Sequence, residues 1–227
     1  MQVKVINTNS CNLNSLTNVI NNLGHNCQVI DKEKDLKKKS NKIIIPGVGS
    51  YSSCMDSLNK INLKDYISKN KNLHILGICV GMQVLSSFGY EDKKCEGLNL
   101  IKGKVLKLET KLPLPHLGWN SIDLKKKNLL INKSLNKKDF FFMHSYIFIP
   151  EKKKNLLIKK SLKKKNFFFM HSYIFIPKKK KNILTETVYG KKFASSLNEK
   201  NIYGVQFHPE KSSAAGKEII KNFINLK

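Results

Sequence analysis

Residues 72–90, NLHILGICVGMQVLSSFGY, constrain this chain more than any other stretch. The apolar run Leu73–Ile78 has the length of a buried strand, and the spacing of Val80, Val84, Leu85 and Phe88 then predicts a helix. Between them stands Gly77-Ile78-Cys79-Val80-Gly81, a G-x-C-x-G with the form of a nucleophile elbow. Glycines let neighbouring backbone approach a sharp turn, and the turn lifts its central side chain into a cleft. At a helix N-terminus, partial positive charge favours a Cys79 thiolate. A cysteine buried in an α/β core accounts for the same five residues, so these alone leave both readings open. The stretch is not a membrane span, because it contains His74, Gln83, Ser86 and Ser87 and changes period half-way.

Upstream, Gln2–Ile6, Cys27–Ile30 and Lys42–Ile45 read as strands. Leu13, Leu16, Val19, Ile20 and Leu23 form a helix stripe, and Tyr51–Asn59 and Leu63–Lys69 read as helical pieces. That order predicts βα units around a mainly parallel sheet, with the loops at the strand carboxyl ends building the site. Downstream, Leu100–Leu108, Phe140–Ile149, Ile183–Tyr189, Lys192–Leu197 and Ile202–Phe207 look like strands, and Ser212–Leu226 is a closing helix. The expectation is one three-layer α/β domain over 1–227, a mainly parallel sheet flanked by helices with a strand-rich C-terminal half.

Within that half, residues 128–154 recur as 155–181 with 23 of 27 positions identical. The differences are Asn132/Lys159, Asn136/Lys163, Asp139/Asn166 and Glu151/Lys178. Two copies do not make a solenoid. Near-identity instead indicates a tandem duplication inside a finished domain, with one copy surplus and either looped out or pairing as an added strand.

The net charge of +26 invites a nucleic-acid reading, but all 42 basic residues are lysine and none is arginine, the residue suited to bidentate base and phosphate contacts. With 25 asparagines beside them, the lysines read as compositional drift, and 155–181 alone carries nine lysines and no acid. Five scattered cysteines without a C-x-x-C pair form neither a disulfide framework nor a zinc pattern, and no metal is expected. The opening MQVKVINTNS lacks the features of a secretory signal, and the expected location is the cytoplasm.

A second motif is Gly204-Val205-Gln206-Phe207-His208-Pro209-Glu210. Residues two apart in an extended segment face the same way, so His208 and Glu210 can project together. A cysteine nucleophile needs a base to take and return its proton, and the base needs an orienting group. Pro46-Gly47-Val48-Gly49, after the strand preceding the elbow strand, can present backbone N–H groups to an oxyanion alongside that of Val80. It can equally be an ordinary strand-ending turn.

GICVGMQ, YGVQFHPE and this glycine-rich turn together resemble the class I (triad) glutamine amidotransferases, over essentially the whole chain. Within the class, PGVGSY, PHLGWN (115–120), MHSY and FHPEKSS (207–213) are similar to the branch whose glutaminase feeds a (β/α)8-barrel cyclase as a heterodimer. The resemblance implies hydrolysis of L-glutamine through a cysteinyl thioester, with Cys79 as nucleophile, His208 as base and acid, and Glu210 as orienter. It implies an oxyanion site at Val48, Gly49 and Val80. Glutamine would be held by Gly47, Gln83 and Glu91, and by Ser145-Tyr146 or Ser172-Tyr173. The barrel partner would be met by His116, Trp119, Asn120 and Lys211. No cofactor, membrane or nucleic acid enters.

Two departures from the family pattern stand out. The first loop reads Asn7-Thr8-Asn9-Ser10-Cys11-Asn12-Leu13 where the family carries a D-Y-G-x-G-N-L turn, and losing the glycines restricts positive φ. The H-S-Y segment also occurs twice. Rival readings are the glutaminase component of another amidotransferase, a non-catalytic regulatory subunit, and, on charge alone, a polyanion-binding module.

Overall fold

The computed structural model of the chain describes residues 1–9, 13–37, 40–91, 93–144, 146–148, 174–177 and 179–227. The first half runs β1 (Gln2–Ile6), α1 (Leu13–Asn22), β2 (Asn26–Ile30), α2 (Glu33–Leu36), β3 (Lys42–Ile45), α3 (Tyr51–Lys60), α4 (Leu63–Lys69), β4 (His74–Ile78) and α5 (Val80–Gln83). The second half is strand-rich: β5 (Phe88–Tyr90), β6 (Lys94–Glu96), β7 (Gly103–Lys107), β8 (His116–Ser121), β9 (Asp123–Leu124), β10 (Asp139–His144), β11 (Tyr146–Phe148), β12 (Ile174–Pro177), β13 (Ile183–Tyr189), β14 (Lys191–Glu199) and β15 (Ile202–Val205), closed by α6 (Ser213–Ile224).

The sheet order is β2-β1-β3-β4-β15-β14, then β11, β12, β7, β5 and β6. From β2 to β15 every pairing is parallel, and β14 turns antiparallel against β15. A parallel block with helices packed on it is buried on both faces, so its strands are continuous apolar runs, as in Ile43-Ile44-Ile45. The lysines in these strands are exceptions with partners. Buried Lys4 Nζ donates to Leu36 O, Ser40 O and the Tyr66 hydroxyl. The C-terminal ends of β3, β4 and β15 lie side by side and carry Gly47, Cys79 and His208, as the crevice rule for open α/β sheets requires. Among the described residues no helix is long and apolar enough to cross a membrane.

One expectation is corrected. The helix after the elbow stops at Gln83, although the apolar spacing continues to Phe88. The carbonyls of Val84, Leu85 and Ser86 are taken by the amides of Leu98, of Leu100 and Ile101, and of Asn99, so no helical partners remain for them and Phe88 enters β5. PHLGWN, read only as a motif, forms β8, which pairs antiparallel with β10 as a separate two-stranded sheet. In the altered first loop Asn9 itself takes a positive φ of 57°, with its N–H on Asn7 Oδ1, so asparagine supplies the positive φ without a glycine. Ser10, Cys11 and Asn12 lie outside the described residues.

Among the described residues, both copies of the duplicated stretch enter the sheet between β14 and β7. Ile147 and Ile174, equivalent positions of the two copies, are both in register with Leu106 of β7, and Phe148 and Phe175 are both in register with Val105. The opposite edge of β7 is occupied by β5. β11 pairs in turn with β14 at Ala194 and, in parallel, with β12 at Ile174, so the described strands of the two copies stand side by side between β14 and β7. The first copy has the better credentials for the segment before it. Asn132 Oδ1 accepts from Ser134 N, and Asn136 Oδ1 accepts from Leu124 N. Lys159 and Lys163, at the same positions of the second copy, have no acceptor to offer.

Candidate active site

The elbow is built by close packing. Cys79 has φ 54° and ψ −113°, a strained combination for a residue with a Cβ. Its N–H donates to Val205 O (2.8 Å), tying the turn to β15. A Cβ on Gly77 or Gly81 would run into the Gly81 carbonyl or the Ile45 carbonyl respectively, so both flanking glycines are demanded by backbone approach. Strain held by packing of this kind clusters at functional sites.

His208 follows β15. Its Nδ1 lies 2.7 Å from Glu210 Oε1, across a ring only 2% exposed. Its main chain is clamped by β10, because His208 N–H donates to Phe141 O (2.8 Å). Ser212 completes the clamp: its hydroxyl donates to His208 O (2.6 Å) and accepts from Phe141 N–H (3.0 Å). His208 Nε2 is buried, and the ring interacts with the Cys79 side chain. Burial alone would lower the imidazole's pKa, but the neighbouring Cys79 side chain, followed by the Glu210 carboxylate, outweighs it and pushes the value up to about 10. The three side chains expected to work together therefore converge.

The Cys79 sulfur has two further neighbours. It donates to the Met143 carbonyl (3.5 Å), and Gln206 Nε2 donates to it (3.7 Å). Gln206 Oε1 in turn accepts from Gln83 Nε2 (3.1 Å), so Gln83 sits in the first turn after Cys79 and in the same network. At the oxyanion turn, the Val80 N–H donates to Gly47 O (3.3 Å), so one expected oxyanion donor is engaged here by a carbonyl. Gly47 packs against Val80 and Gly81, Val48 is half-buried, and Gly49 is exposed with φ 90°. Glu91 lies beside this turn, with Oε2 accepting from Tyr51 N–H at the start of α3. Ser145, Ser172 and Tyr173 lie outside the described residues, and of Tyr146 only the backbone, in β11, is described. Among the described residues no cluster of side chains could hold a metal ion.

The residues expected at a partner surface divide. Trp119 is 54% exposed, next to Leu117 at 63%, so core packing does not explain the one tryptophan. The Trp119 ring meets Phe141 edge-on (5.9 Å), and the Lys211 ammonium lies 5.8 Å from the same Phe141 ring. Asn120 Nδ2 donates to Val188 O (2.9 Å), and Val188 is itself exposed. His116 does not belong to this surface. Its ring is buried, stacked against Tyr189 (4.0 Å) and Phe142 (4.8 Å), with Nδ1 3.3 Å from His144 Nε2. Burial pushes its pKa down to about 4, so it is a neutral core residue. Alternation along β8 explains the division, since His116 faces inward and Leu117 and Trp119 face out.

Sequence reasoning passed over Gln206, Ser212 and Met143. A signal existed for Gln206, which stands two residues before His208 in an extended segment and so faces the same way. None existed for Met143, whose carbonyl reaches Cys79 from 64 residues away in sequence.

A family model described as "Glutamine amidotransferase class-I" matches residues 4–226. The chain belongs to the class-I glutamine amidotransferases. It is 36% identical to "Imidazole glycerol phosphate synthase subunit HisH" of Pelagibacter ubique, covering 100% of both chains. To the protein of the same name from Blochmanniella floridana it is 37% identical, again over 100% of both. In fold it is similar to the structure of PurLQS from Thermotoga maritima, with a TM-score of 0.65 at 15% identity over 99% of this chain and 97% of that one. Within this amidotransferase the elbow, the H-P-E segment and the glycine-rich turn thus stand at one end of the shared sheet.

Proposed function

We propose that the chain is the glutaminase subunit of an imidazole glycerol phosphate synthase, supplying ammonia to a (β/α)8-barrel cyclase in histidine biosynthesis. The observation that carries the reading is the convergence of Cys79 and the His208–Glu210 pair (2.7 Å) at the carboxyl ends of β4 and β15. The two full-length relatives with this printed name support the choice of synthase.

In this reading the Cys79 thiolate attacks the side-chain carboxamide carbon of glutamine, and the carbonyl electrons move onto oxygen. The imidazolium of His208, oriented by Glu210, gives its proton to the departing nitrogen, so ammonia leaves and a γ-glutamyl thioester remains. Neutral His208 then takes a proton from water as the hydroxyl adds to the thioester. Collapse releases glutamate and the thiolate, and His208 is an imidazolium again. Stabilising the oxyanion requires the Gly47 carbonyl to leave the Val80 N–H, and turning the Gly47–Val48 peptide would at the same time bring the Val48 N–H inward. Gln83 and Glu91 hold the amino-acid end of the substrate.

Leu117, Trp119, Phe141 and Lys211 form the surface on which the cyclase docks. An exposed aromatic–aliphatic patch rimmed by a cation has the composition of an interface core. It lies on β8 and β10, and β10 also supplies the Met143 carbonyl at Cys79, so docking bears on the strand that lines the nucleophile. The test is ammonia release from glutamine by the full chain with and without a cyclase barrel. Hydrolysis that rises when the barrel is added supports the reading, and a barrel that neither binds nor changes the rate rejects the choice of synthase.

A further inference from the structure

Gln206 is fully buried directly after β15 and has no part in the steps above. Its main chain is fixed by its N–H on Ser195 O (2.9 Å). A carboxamide has one accepting and one donating end. Gln83 Nε2 donates to the accepting end (3.1 Å), which leaves the donating end turned to the Cys79 sulfur at 3.7 Å. The sulfur's other described polar neighbours are the Met143 carbonyl at 3.5 Å, which can only accept, and the imidazole of His208. These neighbours favour opposite states: the carbonyl suits the S–H form, whereas the His208 imidazolium and the Gln206 N–H suit the anion, where a hydrogen bond is charge-assisted and stronger.

We propose that Gln206 is a positioning residue whose amide N–H holds the Cys79 sulfur as a thiolate aimed into the cleft, with Gln83 setting the orientation of that amide. The consequence for turnover rests on the glutaminase reading, but the state of the sulfur does not. Gln83 thereby has two tasks, because a glutamine side chain that touches substrate also steers the group next to the nucleophile. A change at Gln83 is transmitted to Cys79 through one intervening side chain.

The experiment is alkylation of the full chain by iodoacetamide, followed by mass spectrometry of the Cys79 peptide, with Cys79→Ala as the blank for the other cysteines. Gln206→Met keeps the side-chain length and removes the donor. At pH 7 it is expected to slow alkylation about tenfold, with the pH profile displaced upward by about one unit, the size of one charge-assisted hydrogen bond. Loss of packing alone would instead slow alkylation equally at every pH, and that result overturns the proposal. So does an unchanged or faster rate, which would mean that the amide presents its oxygen to the thiol. A measurement without substitution guards against a misfolded variant. The 15N-resolved side-chain amide of Gln206 must shift with the same pH dependence as Cys79 alkylation, and an amide that stays still overturns the proposal. No glutamine enters either assay, so a chain that fails as a glutaminase can still pass both.

Discussion

Ser212 joins the loop of His208 to the duplicated strand, and its removal tests how rigidly the site is held. The hydroxyl is 1% exposed and makes two bonds at once, donating to His208 O at 2.6 Å and accepting from Phe141 N–H at 3.0 Å. Ser212→Ala leaves His208 O with a remaining donor, Lys211 N–H at 3.0 Å, but takes the acceptor from Phe141 N–H. One lost bond plus one orphaned, partly buried donor amounts to about 2 kcal/mol. For a domain of this size that lowers Tm by roughly 4–8 °C. With the main-chain clamp loosened, His208 samples positions away from Cys79, so kcat should fall about tenfold with KM nearly unchanged, a loss confined to the transition state. Urea unfolding gives the first quantity, and ammonia release at saturating glutamine gives the second. A stability change under about 0.5 kcal/mol, the scatter of ordinary surface substitutions, together with an unaltered kcat would refute the clamp.

Deleting 155–181, which joins Lys154 to Asn182, should leave a folded chain with undiminished glutamine hydrolysis, since the first copy keeps Asn132, Asn136 and β10; insoluble protein would show that the second copy is needed. Trp119→Glu should leave Tm within about 1 °C, as expected of an exposed position, while raising the Kd for the cyclase at least tenfold; unchanged binding by calorimetry would remove the patch from the interface. His208, raised to about 10 when folded against an ordinary 6.5, contributes stability that is fully present below about pH 6.5 and is lost as pH rises towards 10. Cys79→Ala removes the largest raising influence, so NMR titration should find His208 at a lower pKa and a flatter stability profile over that window; an unmoved titration would break the Cys79–His208 coupling.

What could be read from the chain alone follows from the range of the interactions. β1 alternates, β3 and β4 are local apolar runs, and the elbow is five consecutive residues, so pattern and spacing suffice for them. His208 and Glu210 pair as expected, but not from an extended segment: Pro209–Lys211 is a 3-10 turn, and the turn brings the carboxylate to the ring. His116 was expected at the surface because its motif is read as a unit, whereas a strand sends alternate residues to opposite faces. The helix after Cys79 was overextended because its apolar spacing is real, and only carbonyl partners in 98–101, remote in sequence, stop it at Gln83. Met143 and Ser212 touch the site through register between β10 and the segment after β15, which no local pattern encodes. The duplication was plain as a repeat, but the shared register on Leu106 and Val105, and the side chains that favour the first copy, required the sheet.

The central claim is that Cys79 is a nucleophile served by His208, and acid-quenched mass spectrometry of the chain after mixing with glutamine tests it most directly. The account predicts a glutamyl adduct on the Cys79 peptide in the unaltered protein, with no adduct and no ammonia from Cys79→Ala. Ammonia release that survives Cys79→Ala, or an adduct on any other residue, would contradict it.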